Sequence, residues 1–404
     1  MIPMPNSFEN VTFLVGDQYV ANGMLAQRTF QPFENFIIDF LDEFSRRLFR
    51  NPIAKAWPDV ITLAFWCRKK ALLKQKSAYP DLSRRTGRGL AFHIAPSNVA
   101  TNFAWSLVAG LLSGNCNLVR VPSRSFPQVS VICEELNNVL RNRPDIVPYL
   151  CLVRYARESG LTDIFSGWCD TRLIWGGDET ISAVRKSPIP SRSLDLTFTK
   201  RHSLMLIDAS HYLTLINKRA VADGFYNDTY LMDQNACTSP QLVVWLGTKA
   251  DKEQARTHFW AELEILVNKR YQLQPITALR KFDRFCHHAA MSGSVKKAST
   301  ASNLIFRLLL DKLDKSTMTQ TEAGGYFLEY LADDISEILP VCGNRCQTLA
   351  FSGVSSKHIE DFLKRYRPAG VDRVVPLGQT LDFNLKWDGY DLIYSLSRYT
   401  TFAD

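Results

Sequence analysis

The order strand, turn, helix recurs through the first half of this chain and constrains the fold more than any other feature. Residues 89–95 (GLAFHIA) are a short apolar run suited to a buried strand, broken by Pro96, Ser97 and Asn98. A helical pattern over 102–112 follows and stops at Ser113-Gly114-Asn115, a C-terminal signal. Residues 117–121 (NLVRV) form a second strand, ended by Pro122 and Ser123 and followed by a helix over 128–142. Residues 171–175 (TRLIW) form a third, and Gly176-Gly177-Asp178-Glu179-Thr180 turns it into a helix from Ile181. This repetition predicts an open parallel sheet with ligands at the carboxyl ends of its strands, where all three turns lie.

Upstream, residues 33–49 carry apolar residues at helical spacing, and 58–74 also read as helix. Residues 79–89 read as a connection. A second α/β region begins near Ser203, with strands expected at 204–207, 242–246, 347–351 and 373–376 and helices at 251–269 and 355–366. The segment 291–303 is polar and reads as a loop.

A length of 404 residues allows two or three domains. With 46% hydrophobic and 22% charged residues, the composition excludes a disordered chain. The net charge of +8 is dispersed rather than gathered in a tract, which favours a basic enzyme with anionic ligands over a nucleic-acid binder. Nine cysteines, an odd number, and no secretory pattern at the start point to a reduced, cytoplasmic protein. No apolar run reaches the ~18 residues of a membrane span. Neither a Gly-x-Ser-x-Gly elbow nor a Walker A loop is present, which disfavours a serine hydrolase or a P-loop nucleotidase. Cys342 and Cys346, with Cys286-His287-His288, lack the spacing of a common zinc site, so no metal is expected. His202, His211 and His258 are candidate bases, with no pairing to a cysteine arguable from spacing.

Cys237 stands apart from the other cysteines. It follows a polar, turn-rich stretch, precedes a strand, and has Asn235, Ala236, Thr238 and Ser239 around it. Such a setting favours an accessible thiol over one packed as a small hydrophobe.

Three stretches carry a family resemblance: HIAPSNVATNFAWSLVAGLLSGNCNLVRVPSR (93–124), DQNACTSPQ (233–241) and GVDRVVPLGQTLDFNLKWDGYDLI (370–393). In content and order they resemble the LuxC-type acyl-CoA reductases (fatty-acid reductases) of the aldehyde dehydrogenase superfamily. The resemblance implies an α/β, aldehyde dehydrogenase-like fold of two three-layer domains. Residues 1–203, completed by about 370–404, would be a Rossmann-type nicotinamide domain, and 204–369 a catalytic domain. It implies Cys237 as a nucleophile that takes an acyl group from a thioester, and Asn98 with the Cys237 N–H as donors to the oxyanion. It places cofactor phosphates near Gly176, Gly177 and Asp178, although Asp178 and Glu179 would repel them. It places the adenosine ribose near Arg120, Ser123 and Arg124. Arg124 stands where NAD-dependent relatives carry a glutamate, so NADPH is the expected cofactor.

One departure bears on the direction of reaction. Aldehyde-oxidising relatives use a glutamate to activate water. The matching stretch here, LDLTFTKRH (194–202), has none: Thr197 or a neighbour takes its place, and Asp195 is offset. The expected enzyme is therefore an NADPH-dependent acyl-CoA (acyl thioester) reductase forming an aldehyde through a thioester intermediate. Its partners would be acyl-CoA or an acyl-protein, an acyl-protein synthetase by resemblance, and further copies of itself. The alternatives are an oxidising aldehyde dehydrogenase, a non-catalytic acyl-carrying scaffold, and a nucleic-acid binder resting on net charge alone. The fate of WDGYD (387–391), in contact with a ligand or simply packed, stays open.

Overall fold

The computed structural model describes residues 8, 11–97, 99–292 and 295–403. The chain divides into two compact units, residues 1–199 with 385–404, and residues 200–384.

In the first unit, β1 (Thr12–Val15), β2 (Leu90–Ile94), β3 (Cys116–Arg120), β4 (Leu150–Arg154), β5 (Thr171–Trp175) and β6 (Leu194–Phe198) form one sheet. Their spatial order is β1-β4-β3-β2-β5-β6. β1 runs antiparallel to β4, and every other neighbouring pair is parallel. The order reverses between β2 and β5, the topological switch point at which such sheets hold ligands. β2 is buried along its whole length, because helices cover both faces and leave no side to water. The helices of this unit that matter here are α1 (Asn35–Arg50), α2 (Asn102–Leu112), α3 (Pro127–Leu140), α4 (Leu161–Trp168) and α5 (Asp178–Val184). Ser106 of α2 reaches His93 on one face of β2. Phe165 of α4 packs on Phe92 on the other.

The expected helix over 58–74 is two helices, Pro58–Trp66 and Lys69–Lys76. Arg68, extended at φ −64° and ψ 139°, separates them. The C-terminal return, expected from about 370, begins at Leu385. Leu385, Leu392, Ile393 and Leu396 are buried, and Ser397–Tyr399 pairs with Arg85–Gly87. Residues 370–384 stay in the second unit because Arg373–Pro376 is a strand of its sheet.

That second sheet contains β7 (His202–Asp208), β8 (Pro240–Leu246), β9 (Val295–Ser302), β10 (Ile305–Leu310), β11 (Tyr326–Leu331), β12 (Cys346–Ser352) and β13 (Arg373–Pro376). The order is β9-β10-β11-β8-β7-β12-β13. Leu204 and Leu206 of β7 share a core with Ile359 and Phe362 of α9, while Met205 and Ile207 share another with Phe225 of α6 and Phe259 of α7. Here α6 is Lys218–Thr229, α7 Lys249–Arg270, α8 Pro275–Ser292 and α9 Ser356–Tyr366. Alternate residues thus serve opposite faces, as strand geometry requires. The expected loop at 291–303 is corrected: Val295–Ser302 is an edge strand, antiparallel to β10. An edge strand in a hairpin is ordered by its partner's backbone and needs no apolar alternation. No helix among the described residues is long and apolar enough to cross a membrane.

Candidate active site

The nine cysteines sort by burial. Cys237 is half-buried, Cys286 is exposed, and the rest are buried. Burial pushes the thiols of Cys116, Cys133, Cys151 and Cys169 up to about 12. It pushes Cys67 higher still. Cys342, buried and hydrogen-bonded to Cys346, is also raised, whereas that same hydrogen bond, with His202 and Arg201 beside it, lowers Cys346, which is fully buried and so out of a substrate's reach. A thiol that keeps its proton is a poor nucleophile. Cys286 lies on α8, and Cys237 lies in the turn that leads into β8.

That turn is rigidly built. Asp233 and Gln234 take left-handed conformations, with φ of 50° and 58°, a strained choice for residues with side chains. The surroundings hold them there. The Gln234 amide is buried and donates to the carbonyls of Pro240 and Tyr326, both at 3.1 Å. Its Oε1 accepts from the N–H groups of Gly325 (2.9 Å) and Tyr326 (3.1 Å). Gly324 N–H donates to the Asp233 carbonyl, and Tyr271 OH to the Asp233 carboxylate. Closer to the thiol, Ser203 Oγ donates to the Cys237 carbonyl at 2.7 Å and accepts from Thr348 N–H at 3.2 Å. The Cys237 backbone is therefore fixed to β7 and, through Ser203, to β12. Its place is at the amino ends of those strands, opposite to the carboxyl-end rule that suits the first sheet.

In the first unit, Gly176 and Gly177 link β5 to α5 at the switch point. Gly177 is exposed and extended (φ −71°, ψ 166°), and a Cβ added to it would meet nothing within 4 Å. Asp178 and Glu179 are exposed in the first turn of α5, where they complement the helix dipole. Arg157, which the sequence did not single out, brings a cation to this turn by donating to Thr180 Oγ1. Ser123 and Arg124 are exposed beyond the end of β3, with the Arg124 guanidinium 5.1 Å from the Phe126 ring centroid. Arg120 is engaged internally. It donates to the Tyr155 carbonyl and lies over the Tyr155 ring at 4.6 Å. Asn98 lies outside the described residues.

Beneath the end of β5 runs a buried polar relay. Trp175 Nε1 donates to Ser106 Oγ (3.0 Å), Ser106 meets His93 Nδ1 (2.7 Å), and His93 Nε2 meets Asn117 Oδ1 (3.0 Å). Asn117 Nδ2 donates to the Asn115 carbonyl, so its oxygen faces the imidazole and Nε2 carries the proton. Burial pushes His93 down to about 4, and the ring is neutral. Trp175 stacks on Phe198, 3.7 Å between centroids and 8° from parallel, and Tyr390 of the WDGYD hairpin meets Phe198 edge-on.

Two smaller points from the sequence resolve here. Asp195 is committed to Arg172, which is buried and binds both carboxylate oxygens, at 2.8 and 2.9 Å. Arg172 also donates to Ser166 and to the carbonyls of Val184 and Ser187. An oxygen pair held in this fork is not placed to activate water. Among the histidines, His211 and His258 are exposed, and His202 binds the Val341 carbonyl. Among the described residues, no group of three or more His, Cys, Asp or Glu is placed to hold a metal ion.

Comparison with known proteins follows the same lines. The chain is 24% identical over 309 residues to the long-chain acyl-protein thioester reductase of Aliivibrio fischeri, and 23% over 311 residues to long-chain acyl-protein thioester reductase 2 of Photobacterium leiognathi. Each match covers 74% of this chain and 60% of the relative, so the chain spans about 60% of the length of these relatives. Among solved structures, an NAD-dependent benzaldehyde dehydrogenase from Corynebacterium glutamicum superposes with a TM-score of 0.63 at 10% identity, covering 98% of this chain and 95% of its own. An NAD-dependent aldehyde dehydrogenase from Sinorhizobium meliloti gives 0.65 at 12% identity, covering 94% and 85%. The fold is aldehyde dehydrogenase-like. The profile described as acyl-CoA reductase (LuxC) matches residues 68–401, and with that match over most of its length the chain belongs to the acyl-CoA reductase (LuxC) family.

Proposed function

We propose that this protein is an NADPH-dependent acyl thioester reductase that carries the acyl group on Cys237 and releases it as an aldehyde. The observation that carries the reading is the half-buried thiol in a turn locked by Gln234 and Ser203. A nucleophile must be reachable and held still at once.

In this reading the residues 200–384 form the catalytic unit and the remainder the cofactor unit. The Cys237 thiolate attacks the acyl carbonyl, a sulfur–carbon bond forms, and the donor leaves as its own thiolate. Asn98 and the Cys237 N–H steady the oxyanion. The acyl-enzyme resists hydrolysis because Asp195, the carboxylate nearest in sequence to the base position, is held by Arg172. A nicotinamide held by the first unit would supply hydride to the acyl carbon, and Cys237 would then leave as its thiolate and free the aldehyde.

The residues of the first unit fit a dinucleotide. Open backbone at Gly177, beside Gly176 and Asp178, suits the pyrophosphate, and the exposed Arg124 with Ser123 suits a 2′-phosphate. Arg120 contributes by holding the Tyr155 loop beside β3. The names of the relatives favour an acyl-protein as donor, with acyl-CoA as the alternative thioester. A synthetase that loads the donor, self-association and a cytoplasmic setting belong to the same reading.

The test is NADPH oxidation with a chain-length series of acyl-CoA esters and with an acyl-protein, in the native chain and in Cys237→Ala. Turnover that vanishes in Cys237→Ala supports the reading. Turnover that survives the substitution refutes it.

A further inference from the structure

Lys281, on α8, is a buried cation: only 1% of it is exposed. Lysine is rarely so deeply buried unless it is paired. Its Nζ donates to two backbone carbonyls, those of Asn303 and Gly324, the second at 2.7 Å. Asn303 lies in the turn between β9 and β10, and Gly324 lies in the segment that enters β11. One ammonium thus ties together two loops that are distant in sequence. Burial pushes it down to about 8, against the favourable charge of Glu322, so it keeps its proton at neutral pH.

Each of these loops also holds the turn that carries Cys237. The Leu304 carbonyl, next along the chain from that of Asn303, accepts from Tyr230 OH at 2.9 Å. Tyr230 directly follows α6 and opens the approach to Asp233 and Gln234. In the other loop, the Gly324 carbonyl and the Gly325 N–H belong to one peptide group. That group takes Lys281 on its oxygen and gives its N–H to Gln234 Oε1 at 2.9 Å. A cation on the carbonyl polarises the peptide and strengthens the bond that its N–H donates. Gly324 N–H holds the Asp233 carbonyl at 3.0 Å. The two loops meet at Gly325, where an added Cβ would collide with the Leu304 carbonyl and the Tyr230 hydroxyl. The path from Lys281 to the Gln234 brace is therefore a single peptide group, and Cys237 lies a few residues beyond it.

We propose that Lys281 is a positioning residue for Cys237: its ammonium, bound to the Asn303 and Gly324 carbonyls, latches the two loops that hold Tyr230, Asp233 and Gln234 at the entrance to the Cys237 turn. The proposal rests on the reading of Cys237 as nucleophile, and it deepens it by naming what keeps the thiol in place. Charge-assisted bonds from one buried donor suit this task, since they are stronger than neutral ones and are shielded from water.

The test is alkylation of the full native chain by iodoacetamide, with the modified peptides mapped and timed by mass. Cys286 is exposed and gives the unhindered rate, while Cys342 and Cys346, buried in the same unit, report opening of that unit as a whole. Loss of the charge-assisted bonds in Lys281→Met is expected to raise alkylation of Cys237 relative to Cys286 about tenfold and to leave Cys342 and Cys346 protected. A brace of the whole unit with no special hold on the turn would leave the Cys237 rate unchanged or raise it only in step with Cys342 and Cys346, and either result overturns the proposal. Should Lys281→Met fail to fold, Tyr230→Phe keeps the ring and cuts the arm from the Leu304 carbonyl to the turn. Cys237 is then expected to react about fivefold faster against Cys286, and an unmoved ratio overturns the proposal. Alkylation needs no turnover, so a failure here is distinct from failure of the nucleophile reading, which Cys237→Ala tests by acyl transfer.

Discussion

Gln234→Ala removes the brace of the Cys237 turn, and its cost follows from the bonds lost. Gln234 is 1% exposed. Its amide makes four hydrogen bonds, two donated and two accepted, all to backbone groups of Pro240, Gly325 and Tyr326. At a net worth of about 1 kcal/mol each, the substitution should destabilise the fold by about 4 kcal/mol. Alanine at the same left-handed φ keeps the same backbone strain, so that contribution cancels between the two proteins. Gln234→Glu tests the polarity of the brace, because a carboxylate would face the carbonyls of Pro240 and Tyr326 where the amide donated. Urea unfolding gives the stability change, and the rate of Cys237 alkylation reports whether the turn has moved. The expectation is a loss near 4 kcal/mol for Gln234→Ala, at least as large a loss for Gln234→Glu, and altered Cys237 reactivity in both. A loss under about 1 kcal/mol with unchanged reactivity would refute the reasoning that this amide holds the turn.

Other expectations are as direct. Arg124→Glu should raise KM for NADPH by about tenfold or more while leaving NADH use nearly intact, as expected when one charge-assisted contact to a phosphate is lost; an unchanged ratio of the two KM values would remove Arg124 from the cofactor site. His93, with a folded pKa of about 4 against 6.5 for the exposed ring, contributes stability in full above the higher value and loses it as pH falls toward the lower. The expected acid loss is about 3 kcal/mol between pH 7 and pH 4, read by denaturant unfolding, and His93→Gln should flatten it. Arg172→Met removes the buried fork from Asp195 and leaves only the more exposed Arg185, 3.4 Å away, so it should cost about 3–5 kcal/mol. A melting temperature within a degree or so of the native value would show that the pair is not a structural brace.

The parallel sheets were legible where strands are buried on both faces. Residues 89–95, 117–121 and 171–175 read as strands, within a residue of the observed Leu90–Ile94, Cys116–Arg120 and Thr171–Trp175, because helices on either side demand unbroken apolar runs. The helix Asn102–Leu112 was legible to the residue, since its apolar residues and its Ser-Gly-Asn stop are both local signals. Leu194–Phe198 was read for its missing glutamate and not as a strand, since Asp195 and Thr197 interrupt the apolar run. The buried Arg172 is what makes Asp195 tolerable there. β9 was hidden because its order comes from pairing with β10, which no local pattern encodes. At the site, Cys237 was visible from its small polar neighbours. The function of Gln234 was not, because its partners Gly325 and Tyr326 lie more than ninety positions away.

The most direct test of the central claim is intact mass of the protein after exposure to an acyl thioester without nicotinamide. The account expects a single acyl adduct that maps to Cys237, persists because water attack is slow, and disappears when NADPH is added. An adduct that forms equally in Cys237→Ala, or no adduct from acyl-CoA and acyl-protein donors alike, would contradict it.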